Sequence, residues 1–144
     1  MQLTKHTDFA FRTLMYLASM PSDQATIKEI AERFDIPKSH LMKVANSLVH
    51  HGLVQASRGK TGGIRLAKKP EEIGLRQVVE WMENTLEPLD CAGQPCVILK
   101  SCQLKFKLSQ ARDAFLESLG QFTLADVIDT PTRNELHTIQ LHLG

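Results

Sequence analysis

Apolar residues recur at helical spacing through most of the chain and alternate only briefly. Phe11, Leu14, Met15 and Ala18 line one face of a helix that Thr4 can cap and that runs to about Met20. Pro21–Ser22–Asp23–Gln24 reads as a loop. Thr26 caps a second, short helix, and Glu29 three residues on completes a capping box. Ile27, Ile30, Ala31 and Phe34 are its apolar stripe. A tight break at Asp35–Ile36 leads to Pro37, placed where the first turn of a third helix suits proline. Leu41, Val44, Ala45, Leu48 and Val49 form that helix's buried face, and Gly52 ends it. Two short strands follow, Leu53–Ser57 and Ile64–Leu66, joined by the hairpin tip Arg58–Gly59–Lys60–Thr61–Gly62–Gly63.

The second half changes character. A helix is expected from about Leu75 to Asn84, then an irregular loop over 85–101 with two prolines, then a long helix from about Cys102 to Gln121. In the long helix Leu104, Leu108, Ala111, Phe115, Ser118 and Phe122 are spaced 4, 3, 4, 3, 4. That is a heptad-like seam, the pattern by which helices pair. Thr123 can cap a last short helix, Leu124–Ile128. The tail, 130–144, has weak periodicity and is expected to be loose. The fold expected is mainly α. A winged helix-turn-helix domain with a two-stranded wing spans 1–84, a cysteine loop 85–101, and a dimerisation helix with its short terminal helix 102–129.

Charge sharpens the first half. Residues 1–70 carry a balance of +6 and residues 71–144 one of −5, within a net charge of +1. One part suits a polyanion and the other does not. The third helix turns Lys38, Ser39, His40, Lys43, Asn46 and Ser47 away from its apolar face, and these side chains suit base edges and phosphates. Lys28 lies on the helix before it. Arg58 and Lys60 stand on the hairpin tip among glycines, and Gly62 and Gly63 let backbone come close to a phosphate or a minor groove. Gly59–Lys60–Thr61 resembles the end of a phosphate-binding loop, but the earlier glycine such a loop requires is Val54.

Three cysteines, Cys91, Cys96 and Cys102, are the only ones, at C-x4-C-x5-C spacing. An odd set cannot pair fully in disulfides within one chain. A zinc site needs a fourth ligand, and no histidine lies near the loop. Buried structural thiols rarely cluster in a Gly/Pro loop. Thiolates are the usual ligands of an iron–sulfur cluster, and three of them leave one iron position for a weaker, more labile ligand.

The basic winged helix, the C-x4-C-x5-C loop and the long helix together resemble the winged-helix iron–sulfur regulators, specifically their nitric-oxide-sensing branch, over about residues 1–129. The resemblance implies that Cys91, Cys96 and Cys102 hold a cluster. It further implies that the long helices pair two subunits in a homodimer, and that wings and recognition helices read a palindrome in double-stranded DNA. It also implies a fourth ligand, Asp8 of the partner subunit, with Arg12 as a partner that holds Asp8 or takes it over once the cluster is lost. Asp8 has a plainer role as well, complementing the helix dipole and pairing with Arg12 at i,i+4. A sister branch that senses cluster supply carries a histidine three residues past the third cysteine, where this chain has Lys105.

The expected function is that of a dimeric repressor releasing its operator when nitric oxide attacks the cluster. A four-iron (4Fe-4S) cluster is preferred and a two-iron (2Fe-2S) cluster is the alternative. Rival readings are a cluster-supply or redox sensor of the same family and a zinc-stabilised regulator. No enzyme is expected: there is no CxxC, no nucleotide loop and no Ser/His/Asp set. No run approaches the roughly 18 apolar residues of a membrane span, and a cytoplasmic location is the expectation.

Overall fold

The first helix, α1 (Lys5–Ser19), is the axle of the molecule. Thr4 caps it by accepting the Thr7 N–H, and Ala10, Leu14, Tyr16 and Leu17 bury its inner face. In the computed structural model the described residues are 1–20 and 24–143 of the backbone, with side chains up to 136. The loop expected at Pro21–Gln24 lies, for residues 21–23, outside them.

Around α1 pack α2 (Ile27–Phe34) and α3 (Lys38–His50). The expected capping box holds: Glu29 N–H donates to Thr26 Oγ1 at 3.1 Å, and Thr26 N–H to Glu29 Oε2 at 2.6 Å. The break between the helices falls on Asp35, whose φ of 52° is left-handed, and Ile36 N–H closes back on Ala31 O at 2.9 Å. Pro37 caps α3 from just outside rather than joining its first turn. That still suits a residue with no N–H to donate. Gly52, at φ 72°, ends α3, and Leu53 N–H reaches Leu48 O at 2.9 Å.

The wing is β1 (Val54–Ser57) antiparallel to β2 (Gly63–Leu66), with Val54 opposite Leu66 and Ser57 opposite Gly63. A third backbone joins it: Ala25 and Ile64 exchange hydrogen bonds at 3.0 and 2.7 Å. Ile64 and Val54 turn inward onto a core shared with Ile30, Leu41, Val44, Leu48 and Leu53.

A 3-10 turn at Pro70–Glu72, not foreseen, leads to α4 (Leu75–Met82), two residues shorter than expected, with Glu83 as its cap. The loop 85–101 has only turns and bends. Then comes α5 (Gln103–Leu119), capped by Cys102, and a 3-10 turn, Leu124–Val127, capped by Thr123 where a short helix was expected. Leu75 N–H donates to Phe122 O at 3.0 Å and Leu124 N–H to Ile73 O at 2.8 Å, tying the end of α5 to the start of α4. The tail departs from expectation. Residues Thr130–Leu143 form α6, which returns beside α1. Asp129 starts it by accepting the Thr132 N–H at 3.1 Å. No helix among the described residues is long and apolar enough to cross a membrane.

Candidate DNA-binding face and cysteine site

Helix α3 is buried along Leu41, Val44, Ala45 and Leu48 and turns Lys38, Ser39, Met42, Lys43 and Asn46 to solvent. His40 stands apart from that exposed row. It is half-buried, with its ring edge-on to Phe9 at 4.8 Å and stacked near His6 at 6.2 Å. Ser47 is likewise engaged, 3.2 Å from His6 Nε2. Burial, and then the neighbouring His40, hold the His6 pKa below its usual 6.5, against the pull of Glu83. Two residues placed on the DNA side by periodicity thus also fasten α3 to α1. Lys28 is exposed on α2 and pairs loosely with Glu32 at 3.8 Å.

At the wing, Arg58, Gly59, Lys60 and Thr61 are exposed. Gly59 has φ 105°. Gly62 and Gly63 are required by the protein's own backbone. A Cβ on Gly62 would lie 2.7 Å from Ser57 O, and one on Gly63 would lie 2.6 Å from Ala25 O. Glycine at these two positions is therefore explained by wing folding before any DNA is considered.

The three cysteines are free thiols: Cys91 and Cys102 half-buried, Cys96 exposed. Cys102 Sγ accepts the Lys105 N–H at 3.4 Å, so the third thiol sits at the N-terminus of α5, where partial positive charge favours an anion. Asp90 Oδ1 accepts the Gly93 N–H at 2.8 Å, shaping the gap between Cys91 and Cys96. Arg112 on α5 pairs with Glu87 and, at 2.8 Å, with Asp113, and so fastens the loop's start to the helix. Between loop and helix lies a cleft of about 560 Å³, with Cys91, Asp90, Lys105 and Arg112 on its walls. Among the described residues no three His, Cys, Asp or Glu side chains converge to metal-holding distance within one chain. The loop's own backbone bonds are local turns, such as Leu99 N–H to Cys96 O at 3.3 Å. A free, thiol-only donor set on such a loop fits an iron–sulfur cluster.

Asp8 lies on the first turn of α1, bonded to Arg12 Nε at 2.9 Å. Arg12 also lies 5.9 Å over the ring of Phe34, the last residue of α2. The Asp8 and Arg12 side chains are each nearly half exposed. A pair of that kind is worth about 0.3–0.5 kcal/mol.

Three residues escape the sequence reading. Glu83 Oε1 accepts Thr4 N–H, Thr4 Oγ1 and Thr7 Oγ1 at 2.8, 3.0 and 2.5 Å, pinning the start of α1 to the end of α4. Arg112 joins loop to helix, and Gln24 touches the wing. Their partners are distant in sequence, so no local pattern marks them.

Comparison with known proteins agrees with this architecture. Residues 3–130 match the Rrf2 family model, described as an iron-dependent transcriptional regulator. The chain is 41% identical over 133 residues to the HTH-type transcriptional regulator NsrR of Geobacillus kaustophilus, covering 90% of each. It is 39% identical over 132 residues to the NsrR of Shouchella clausii, covering 89% of each. Among solved structures, CymR of B. subtilis aligns at TM-score 0.69 and 21% identity over 89% of this chain and 96% of that one. IscR of T. potens aligns at TM-score 0.69 and 22% identity over 89% and 86%. These two likenesses establish the winged helix-turn-helix fold. The chain belongs to the Rrf2 family of iron-dependent transcriptional regulators, DNA-binding proteins rather than enzymes.

Proposed function

We propose that this protein is a homodimeric repressor that senses nitric oxide through an iron–sulfur cluster held by Cys91, Cys96, Cys102 and Asp8 of the partner subunit. The observation that carries the reading is the placement of the thiols: three free cysteines on one loop, the last of them capping a helix whose apolar side is exposed. The name of the curated relatives, NsrR, is that of the branch the cysteine spacing resembles. A four-iron cluster is the preferred occupant and a two-iron cluster the alternative. When bound, the cluster supplies iron that nitric oxide can attack.

The chain's own residues supply the rest. Asp8 has two alternative partners, the site on the other subunit and Arg12. Once released it returns to Arg12, the pairing described above. Both residues sit on α1, whose first turn touches α3 through His6 and Ser47 and whose Arg12 touches α2 through Phe34. A shift of α1 therefore reaches both helices of the DNA-reading unit. Lys38, Ser39, Lys43, Arg58 and Lys60 are the proposed contacts with a palindromic operator, with Lys28 and His40 at their margin. A 100-fold loss of DNA affinity needs a difference of only about 2.8 kcal/mol between the two states.

The test is one spectrum followed by one titration. Protein purified without air should be brown, bind operator DNA, and lose both colour and DNA on addition of nitric oxide. Cys96→Ala should abolish colour and response, and Asp8→Ala should alter the spectrum while leaving some cluster. A colourless protein with one zinc would establish the zinc-stabilised alternative. A brown protein indifferent to nitric oxide would establish a cluster-supply or redox sensor.

A further inference from the structure

The wing tip carries two exposed cations, Arg58 and Lys60, on a hairpin only four residues long on each side. A two-stranded hairpin of that size is marginal by itself in water. Its strands are anchored at Ile64 by the Ala25 backbone, but the tip beyond Ser57 and Gly63 needs its own support. Gln24 supplies it. Its Nε2 donates to Thr61 O on the returning leg, and its Oε1 accepts from Ser57 Oγ at 3.4 Å on the outgoing leg. One side chain thus spans both legs of the hairpin, just beneath Arg58–Gly59–Lys60. Within the tip, Gly62 N–H closes on Gly59 O at 3.0 Å. Gly63 has no room for a Cβ because Ala25 O and Gln24 Cγ would lie 2.6 and 3.0 Å from it.

We propose that Gln24 is a positioning residue for DNA recognition: it braces the wing tip against the start of α2, so that Arg58 and Lys60 are held at a fixed distance from the recognition helix. Gln24 stands two residues before Thr26, the cap of α2, and α2 packs directly on α3. The brace therefore references the wing to the same frame that holds Lys38, Ser39 and Lys43. Ordering the tip before DNA arrives removes an entropy cost from binding, which is how a residue that touches no DNA raises affinity. This rests on the reading of the wing as a DNA-contacting element.

The experiment uses the full-length holoprotein and a duplex operator selected by it from random DNA. Gln24→Met keeps the length of the side chain and removes both hydrogen bonds. Affinity is measured by fluorescence anisotropy for Gln24→Met, for Arg58→Ala/Lys60→Ala, and for the three changes combined. Gln24→Met should weaken binding about three- to tenfold, the size expected for one or two lost hydrogen bonds. On the Arg58→Ala/Lys60→Ala background the same change should cost less than twofold, because a brace with no cations left at the tip has nothing there to position. Amide exchange at Gly62 of the free protein should quicken, while the cluster spectrum and thermal midpoint stay put. An equal loss on both backgrounds would overturn the proposal and make Gln24 a direct contact. No loss on the unmodified wing, or an unchanged Gly62 exchange rate, would also overturn it. If Arg58→Ala/Lys60→Ala binds as tightly as the parent, the underlying reading of the wing fails, which that arm reveals by itself.

Discussion

Glu83 gathers three hydrogen bonds on a single oxygen, from the backbone and hydroxyl of Thr4 and the hydroxyl of Thr7. Partial burial pushes its pKa up, but the threonine hydrogen bonds outweigh that, and the net result lies below the usual 4.5. A depressed carboxylate gives stability at neutral pH that disappears in acid. Below about pH 4.5 the unfolded chain takes up the proton more readily than the folded one, so the contribution is lost as pH falls through the folded value. Glu83→Ala should lower the stability of the metal-free protein at pH 7 by about 1–2 kcal/mol, since hydrogen bonds to a charged group are lost. Glu83→Gln keeps an amide oxygen for the same donors, so it should lose less and flatten the acid side of the stability profile. Urea unfolding at pH 7 and pH 4 measures both effects. Identical midpoints for the parent and Glu83→Ala at pH 7 would show that the anchor contributes nothing.

At the scale of elements, the wing shows how a glycine can be legible while its reason is not. Gly62 and Gly63 stood out in the sequence as room for DNA, yet the groups they make room for are Ser57 O and Ala25 O. Gly63→Ala must push β2 away from residue 25 and should cost about 1–3 kcal/mol, as overpacking does. Gly74→Ala is the control: nothing lies within 4 Å of the added carbon, and the change should stay within about 0.5 kcal/mol. Thermal unfolding of the two variants compares them, and equal midpoints would refute the crowding argument. Other elements were legible wherever their determinants are local. Thr4, the Thr26–Glu29 box and Gly52 lie within a turn of what they cap, and the apolar stripes of α2 and α3 follow their own period, except that Val49, expected on the buried face of α3, is 40% exposed in its last turn. The tail was not legible, because α6 is started by Asp129 and by Arg133 Nε donating to Ile128 O at 2.8 Å, with little apolar rhythm to announce it. The site divides the same way. The cysteines and the α3 cations are visible as residue types at a spacing. Glu83, Arg112 and Gln24 work across 25 to 79 positions and become visible only when the chain is folded.

For the molecule as a whole, α5 poses the question of what covers it. It is a helix of 17 residues with Leu116 as its one buried side chain. An isolated helix of that length is marginal in water, and its tertiary support lies along one side, from half-covered Leu108 through Arg112, paired with Glu87, to buried Leu116. Leu104 and Phe106 remain 60% and 55% exposed, and the neighbouring loop leaves Val97 and Ile98 open as well. The seam residues Leu108 and Phe115 are half-covered, and Ala111 lies open between them. In the proposed homodimer a second copy of α5 would supply the missing apolar surface at the heptad positions, and the same pairing would bring the proposed ligand, Asp8 of the partner subunit, toward Cys91, Cys96 and Cys102. Leu104→Glu/Leu108→Glu places two charges in that seam and should give a monomer at micromolar concentration in sedimentation experiments. Two consequences then separate the roles of the halves. Operator affinity should fall by about 100-fold or more, because each half-site must be bound without the effective concentration its linked neighbour provides. On the proposed ligation the cluster spectrum should change toward that of Asp8→Ala even though every cysteine is intact, because a monomer would lack the carboxylate of its partner. A variant that stays dimeric would move the interface off this seam. A monomer with an unchanged spectrum would keep the seam and return Asp8 to its pairing with Arg12 alone.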